Sequence, residues 1–104
     1  MSDLTTIRNR LREFAGERDW DQFHTPKNLA MALSGEAGEL LAEFQWLTPE
    51  ESSNLTLEQE KMVEMEIADV AIYLIRLADV LEIDIYEAVI KKIRMNGERF
   101  PTVK

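Results

Sequence analysis

The sequence predicts an all-α fold, a four-helix bundle-like protomer that assembles into a homo-oligomer. Three observations carry this. Apolar residues recur at three- and four-residue steps, the spacing of one helix face, along most of the chain. Helix-start signals stand in front of these periodic stretches. No convincing pair of strands occurs anywhere. With 104 residues, 45% of them apolar, the chain makes one domain over residues 1–104 with little material to spare for a core.

The first helix rests on Leu4, Ile7, Leu11 and Phe14, with Arg8, Arg10, Arg12 and Glu13 between them, and ends near Gly16. Residues 18–25, RDWDQFHT, have no period and read as a polar-aromatic loop. Thr25 then supplies an N-cap and Pro26 the first helical position. The second helix runs from Lys27 to about Leu47, nearly apolar around its circumference, and Pro49 ends it. Gly35 and Gly38 lower its helix propensity and predict close approach to a neighbour. A third helix, the longest, begins at Thr56, which forms a capping box with Gln59, and continues to about Leu81. Asp84, with Glu87 three residues on, caps a fourth that ends near Asn96 and Gly97. Helices two and three are too apolar for one small protomer to cover, so an oligomer is expected.

Composition removes several function classes. Without cysteine there is no disulfide framework, no thiolate zinc site and no cysteine nucleophile, which fits a reducing, cytoplasmic setting. The polar start of the chain predicts no secretory signal. Acids interrupt the apolar stretches well before the roughly 18 residues a membrane helix needs, so no membrane partner is expected. A net charge of −8 argues against binding a nucleic-acid duplex, whose affinity comes from Lys and Arg on phosphates. The charges are also segregated. Residues 28–90 hold fourteen acids and only two bases, Lys61 and Arg76, whereas residues from Lys91 onward hold five bases and the single acid Glu98.

Within the acidic middle, Glu36 and Glu39 on helix two and Glu66 and Asp69 on helix three share an i, i+3 spacing. Each pair lies within about 60° of arc on one helix face. One such pair in a chain with 20 acids is commonplace and usually marks a solvated face. These two are set among Leu33, Ala37, Leu40, Met65, Ile67 and Val70, with no base nearby in sequence. Four such carboxylates repel one another or take up protons unless a cation neutralises them. Oxygen-only ligands favour a hard ion, Mg²⁺ or Mn²⁺. Di-iron bundles use Glu-x-x-His pairs, and the single histidine, His24, lies outside any such pair.

The run GEAGELLAEFQW from Gly35 to Trp46, followed by EIADVAIYL from Glu66 to Leu74, resembles the MazG-type nucleoside triphosphate pyrophosphohydrolases, whose pattern is EExxE, a spacer, then ExxD. RDWDQFHTPKNLAMAL before the first motif and KKIRMNGERFP at the end resemble the dCTP pyrophosphatase branch, so the likeness covers nearly the whole chain. Gly35 stands where the broad pattern has its first Glu. The resemblance implies hydrolysis of a deoxynucleoside triphosphate, foremost dCTP, to its monophosphate and pyrophosphate in nucleotide-pool house-cleaning. It makes Glu36, Glu39, Glu66 and Asp69 the Mg²⁺ ligands and catalytic residues, and implies a dimer or tetramer whose pockets combine subunits. Glu43, one turn beyond Glu39, is either a group behind the ligands or a surface residue.

Four rings lie near the ends of helix two, Trp20, Phe23 and His24 before it and Trp46 after it, and Tyr73 lies seven residues after Glu66. Isolated aromatics are more often core than base-stacking residues, but two tryptophans bracketing one helix favour a base pocket. By resemblance, Trp20, His24, Trp46 and Tyr73 form the nucleobase and sugar pocket, with a purely structural histidine as the alternative for His24. Lys92 and Asn96, at i, i+4, correspond to phosphate-binding positions, and Arg99 and Lys27 are further candidates; Lys91 and Arg94 read more simply as solvated residues at a helix C-terminus. Two rival readings stay open: a hydrolase of this superfamily with broader or different base preference, and a non-catalytic helical interaction module.

Overall fold

The computed structural model describes residues 3–103, and among these the regular structure is entirely helical. Its elements are α1 (Asp3–Glu17), α2 (Pro26–Ala42), α3 (Pro49–Ser52), α4 (Leu57–Val80) and α5 (Ile85–Arg99). None of these helices is long and apolar enough to cross a membrane.

The helix starts follow the capping chemistry. The Thr25 side chain accepts from the Asn28 amide ahead of Pro26. Thr56 and Gln59 exchange both bonds of a capping box at α4, and Asp84 accepts from the Glu87 amide at α5. The ends of α1 and α4 fall within a residue of the sequence expectation, and those of α2 and α5 differ from it. Helix two stops at Ala42 rather than Leu47, and residues 43–47 form hydrogen-bonded turns. Thr48 then caps the one-turn α3, with its own capping box to Glu51. The fourth long helix continues through Gly97 to Arg99.

Packing is centred on α4, against which α2 makes the main interface and α1 a smaller one. Leu29 is the most enclosed large side chain, 2% exposed, and Ala15, Val63, Ile75 and Ala78 complete a small core. One expectation fails here. A Cβ built on Gly35 or Gly38 would meet nothing within 4 Å, so neither glycine serves a close helix contact within the protomer. Helix α5 has no buried residue, and Val89, Ile90 and Ile93 are exposed.

Candidate metal centre and nucleotide pocket

Helices α2 and α4 run antiparallel, because the residues just before α2 meet the C-terminal half of α4 while Glu36 and Glu39 meet Glu66. Ligand oxygens of Glu36, Glu39 and Glu66 lie within 4.8 Å of one another, a spacing that can hold a cation. Glu36 and Glu66 are half-buried and Glu39 is exposed. The Oε2 atoms of Glu36 and Glu66 are buried without a hydrogen-bond partner.

These two carboxyls resist ionisation. Burial, then the Glu39 carboxylate, and then the charges of Asp69 and Glu66 raise the Glu36 carboxyl above its ordinary value of 4.5. Burial followed by the charges of Glu39, Asp69 and Glu43 raises Glu66 in the same direction. Asp69 stands outside the three-carboxylate group, yet its charge acts on both neighbours. Glu43 is half-buried and its charge also acts on Glu66. A divalent cation fits this donor set. It would satisfy the orphaned oxygens and offset the repulsion that raises both groups.

The aromatic loop is built by the end of α1. Asp19 adopts φ 55°, the Trp20 amide donates to the Ala15 carbonyl, and the Asp19 amide donates to Gly16. This is a Schellman ending, and the hydrophobic contact that accompanies it is the edge-on stacking of Trp20 on Phe14, ring centroids 5.6 Å apart. Trp20 and His24 are 6.0 Å apart, so the structure brings this pair together. His24 Nδ1 accepts from Arg76 Nε at 3.0 Å, tying the loop to α4. Tyr73 is half-buried one turn earlier on that helix.

Trp46 is not part of this group. It stands in the turns after α2, 86% exposed, and the 17 residues of α2 put about 25 Å of helix axis between it and His24. Trp20 and Trp46 therefore do not wall one pocket within a protomer. Lys92 is exposed and Asn96 half-buried on α5, a helix that lacks the interface α2 makes with α4. Sequence reasoning also missed Arg76, whose signal was a lone base inside the apolar run YLIRLADV.

The fold and site define a class: an all-α protein in which an antiparallel helix pair gathers carboxylates able to hold a divalent cation. The chain belongs to the MazG-like family, whose profile matches residues 31–104. It is 43% identical over 100 residues to dCTP pyrophosphatase 1 of Mus musculus and of Homo sapiens, an alignment covering 94% of this chain and 59% of each relative. The chain thus spans less than two thirds of the length of these curated relatives. The solved structure of a pyrophosphatase from Archaeoglobus fulgidus superimposes with a TM-score of 0.91 at 42% identity, covering 98% of this chain and 95% of that one.

Proposed function

We propose that this protein hydrolyses deoxynucleoside triphosphates, dCTP before the others, to the monophosphate and pyrophosphate, using Mg²⁺ held by Glu36, Glu39, Glu66 and Asp69. The observation that carries the reading is the pair of buried, partnerless carboxylate oxygens, one on α2 and one on α4, in a group whose ligand oxygens lie within 4.8 Å of one another. A surface patch would leave those oxygens in water. When bound, Mg²⁺ supplies the charge that offsets the triphosphate and lowers the pKa of a water for attack at the α-phosphorus. Mn²⁺ fits the same oxygen donors. Similarity to the dCTP pyrophosphatases supports the substrate class.

The reading also needs a homo-oligomer, a dimer or a tetramer. A base pocket built from both Trp20 and Trp46 has to join two protomers, since one protomer holds them at opposite ends of α2. Lys92 and Asn96 would reach phosphates by the same route. The protomer's accessible surface, 8481 Å², supports this. A compact monomer of 12.0 kDa would expose about 6,000 Å². The excess is of the size that obligate interfaces cover. The same reading gives the protein a place in nucleotide-pool house-cleaning in the cytoplasm.

A panel of nucleoside triphosphates assayed for pyrophosphate release tests the proposal. We expect the highest kcat/KM for dCTP, loss of release on chelation, and recovery on adding Mg²⁺. Best turnover of dUTP or dGTP would overturn the base assignment alone. No release from any triphosphate would overturn the activity.

A further inference from the structure

Arg76 is a charged side chain in the core, 7% exposed, and each of its three nitrogens is used. Nη2 donates to Asp21 at 2.5 Å, Nη1 to Asp79 at 3.3 Å and Nε to His24 Nδ1 at 3.0 Å. Asp79 is itself held at both oxygens by Arg12 from α1. Arg76 therefore clasps the loop between α1 and α2 onto α4. It follows Asp69 by seven residues and Tyr73 by three, on the stripe of α4 that carries them.

A donor aimed at Nδ1 fixes the chemistry of the ring. The lone pair must sit on Nδ1, so the proton of the neutral imidazole sits on Nε2. Protonating Nδ1 would set two donors against each other. Burial first and the Arg76 charge second hold the ring below its ordinary value of 6.5, with Asp21 opposing them. Among the described residues Nδ1 is the ring atom with a hydrogen-bond partner, which leaves Nε2–H to donate outward. A histidine in this state offers a hydrogen bond and takes up a proton less readily than a free imidazole.

We infer that Arg76 is a positioning residue that fixes His24 as a neutral Nε2–H donor and so sets how the α1–α2 loop presents His24 and Trp20 to the nucleotide. The nucleotide-facing half of this statement rests on the function proposed above. The tautomer does not.

His24 is the single histidine, so its ring resonances are unambiguous in the intact protein. We expect ¹⁵N spectra of the wild type to show the Nε2–H tautomer, titrating below 6.5. In Arg76→Gln and Arg76→Lys, with helix content checked by circular dichroism, the tautomer preference should weaken, and in Arg76→Gln, which also removes the charge, the midpoint should move toward 6.5. KM for dCTP should rise about tenfold while kcat stays within about twofold, the pattern of a lost binding contact. An Nδ1–H tautomer in the wild type, or a midpoint at or above 6.5, overturns the inference without any variant. A folded Arg76 variant with unchanged His24 spectra or unchanged KM overturns it as well. Absence of triphosphate hydrolysis in the wild type would bring down the nucleotide-facing role, while the spectra would still decide the tautomer.

Discussion

Glu36 and Glu66 bind protons more tightly folded than unfolded, because burial and neighbouring carboxylates raise both. Their contribution to the stability of the metal-free protein is full below the ordinary 4.5 and is lost as pH rises through their raised values. Asp79 works in the opposite sense. Arg12 holds it low, with help from Arg76, so its contribution is lost as pH falls below 3.8. Urea denaturation in EDTA should therefore show stability declining above about pH 4.5. The same series in Mg²⁺ should lose that decline, because a cation that binds only the native state stabilises it by mass action. A flat EDTA series would refute the placement of these oxygens. Glu66→Gln should raise the Tm of the metal-free protein and remove the Mg²⁺-induced rise. It should also cost about 100-fold or more in turnover, since the metal's charge is worth several kcal/mol to the reaction. The carboxylate pairs were legible in the sequence because i, i+3 spacing on a helix fixes their direction. The bond from Arg76 to His24 was not, because 52 residues separate the partners and only tertiary packing joins them.

Among elements, α4 carries the most weight, since it bears Glu66, Asp69, Tyr73 and Arg76 and packs on both α1 and α2. Its start is a capping box, and Thr56→Ala should cost about 1 kcal/mol in equilibrium unfolding with the denaturant slope unchanged. Its end is a second Schellman ending. Ile83 N–H donates to Ala78 and Glu82 N–H to Asp79, with Glu82 at φ 57°. Left-handed backbone costs a non-glycine residue roughly 1–2 kcal/mol, of which glycine's extra freedom when unfolded takes part back. Glu82→Gly should accordingly stabilise the protein by about 0.5–1 kcal/mol, measurable as a shifted urea midpoint. A loss of stability would contradict the turn geometry. Helix starts could be read from sequence because Thr25, Thr56 and Asp84 act on amides three residues ahead. The ends of α1 and α4 were legible to within a residue, although Asp19 and Glu82 stand where glycine is the usual signal. The stop at Ala42 was not, because it has no local breaker: Pro49 lies seven residues later and starts α3 instead.

At the scale of the molecule, the radius of gyration is 16.6 Å, against about 13 Å for a compact domain of this length. The all-α character followed from periodicity, and so did the surplus of apolar surface. How the surplus is distributed did not, because the helical period gives each helix an apolar face without saying which neighbour takes it. The outward face of α5 holds part of it. Unfolding should therefore couple to dissociation, and the urea midpoint should rise with protein concentration across the micromolar range. Ile93→Glu should abolish that dependence and shift light scattering to the protomer mass. A wild type that is monomeric and fully active at micromolar concentration would refute this.

The exposure of Trp46 also makes the protein its own optical reporter. The chain has two tryptophans, and Trp20 is packed edge-on against Phe14 while Trp46 stands in solvent. Their emission should differ, with Trp46 fluorescing at the longer wavelength and yielding first to acrylamide quenching. In a Trp20→Phe background the remaining signal belongs to Trp46 alone. A blue shift on concentrating the protein would then report subunit assembly, and quenching on adding nucleotide would report stacking on the indole, so one lamp separates two events that scattering and turnover measure only indirectly.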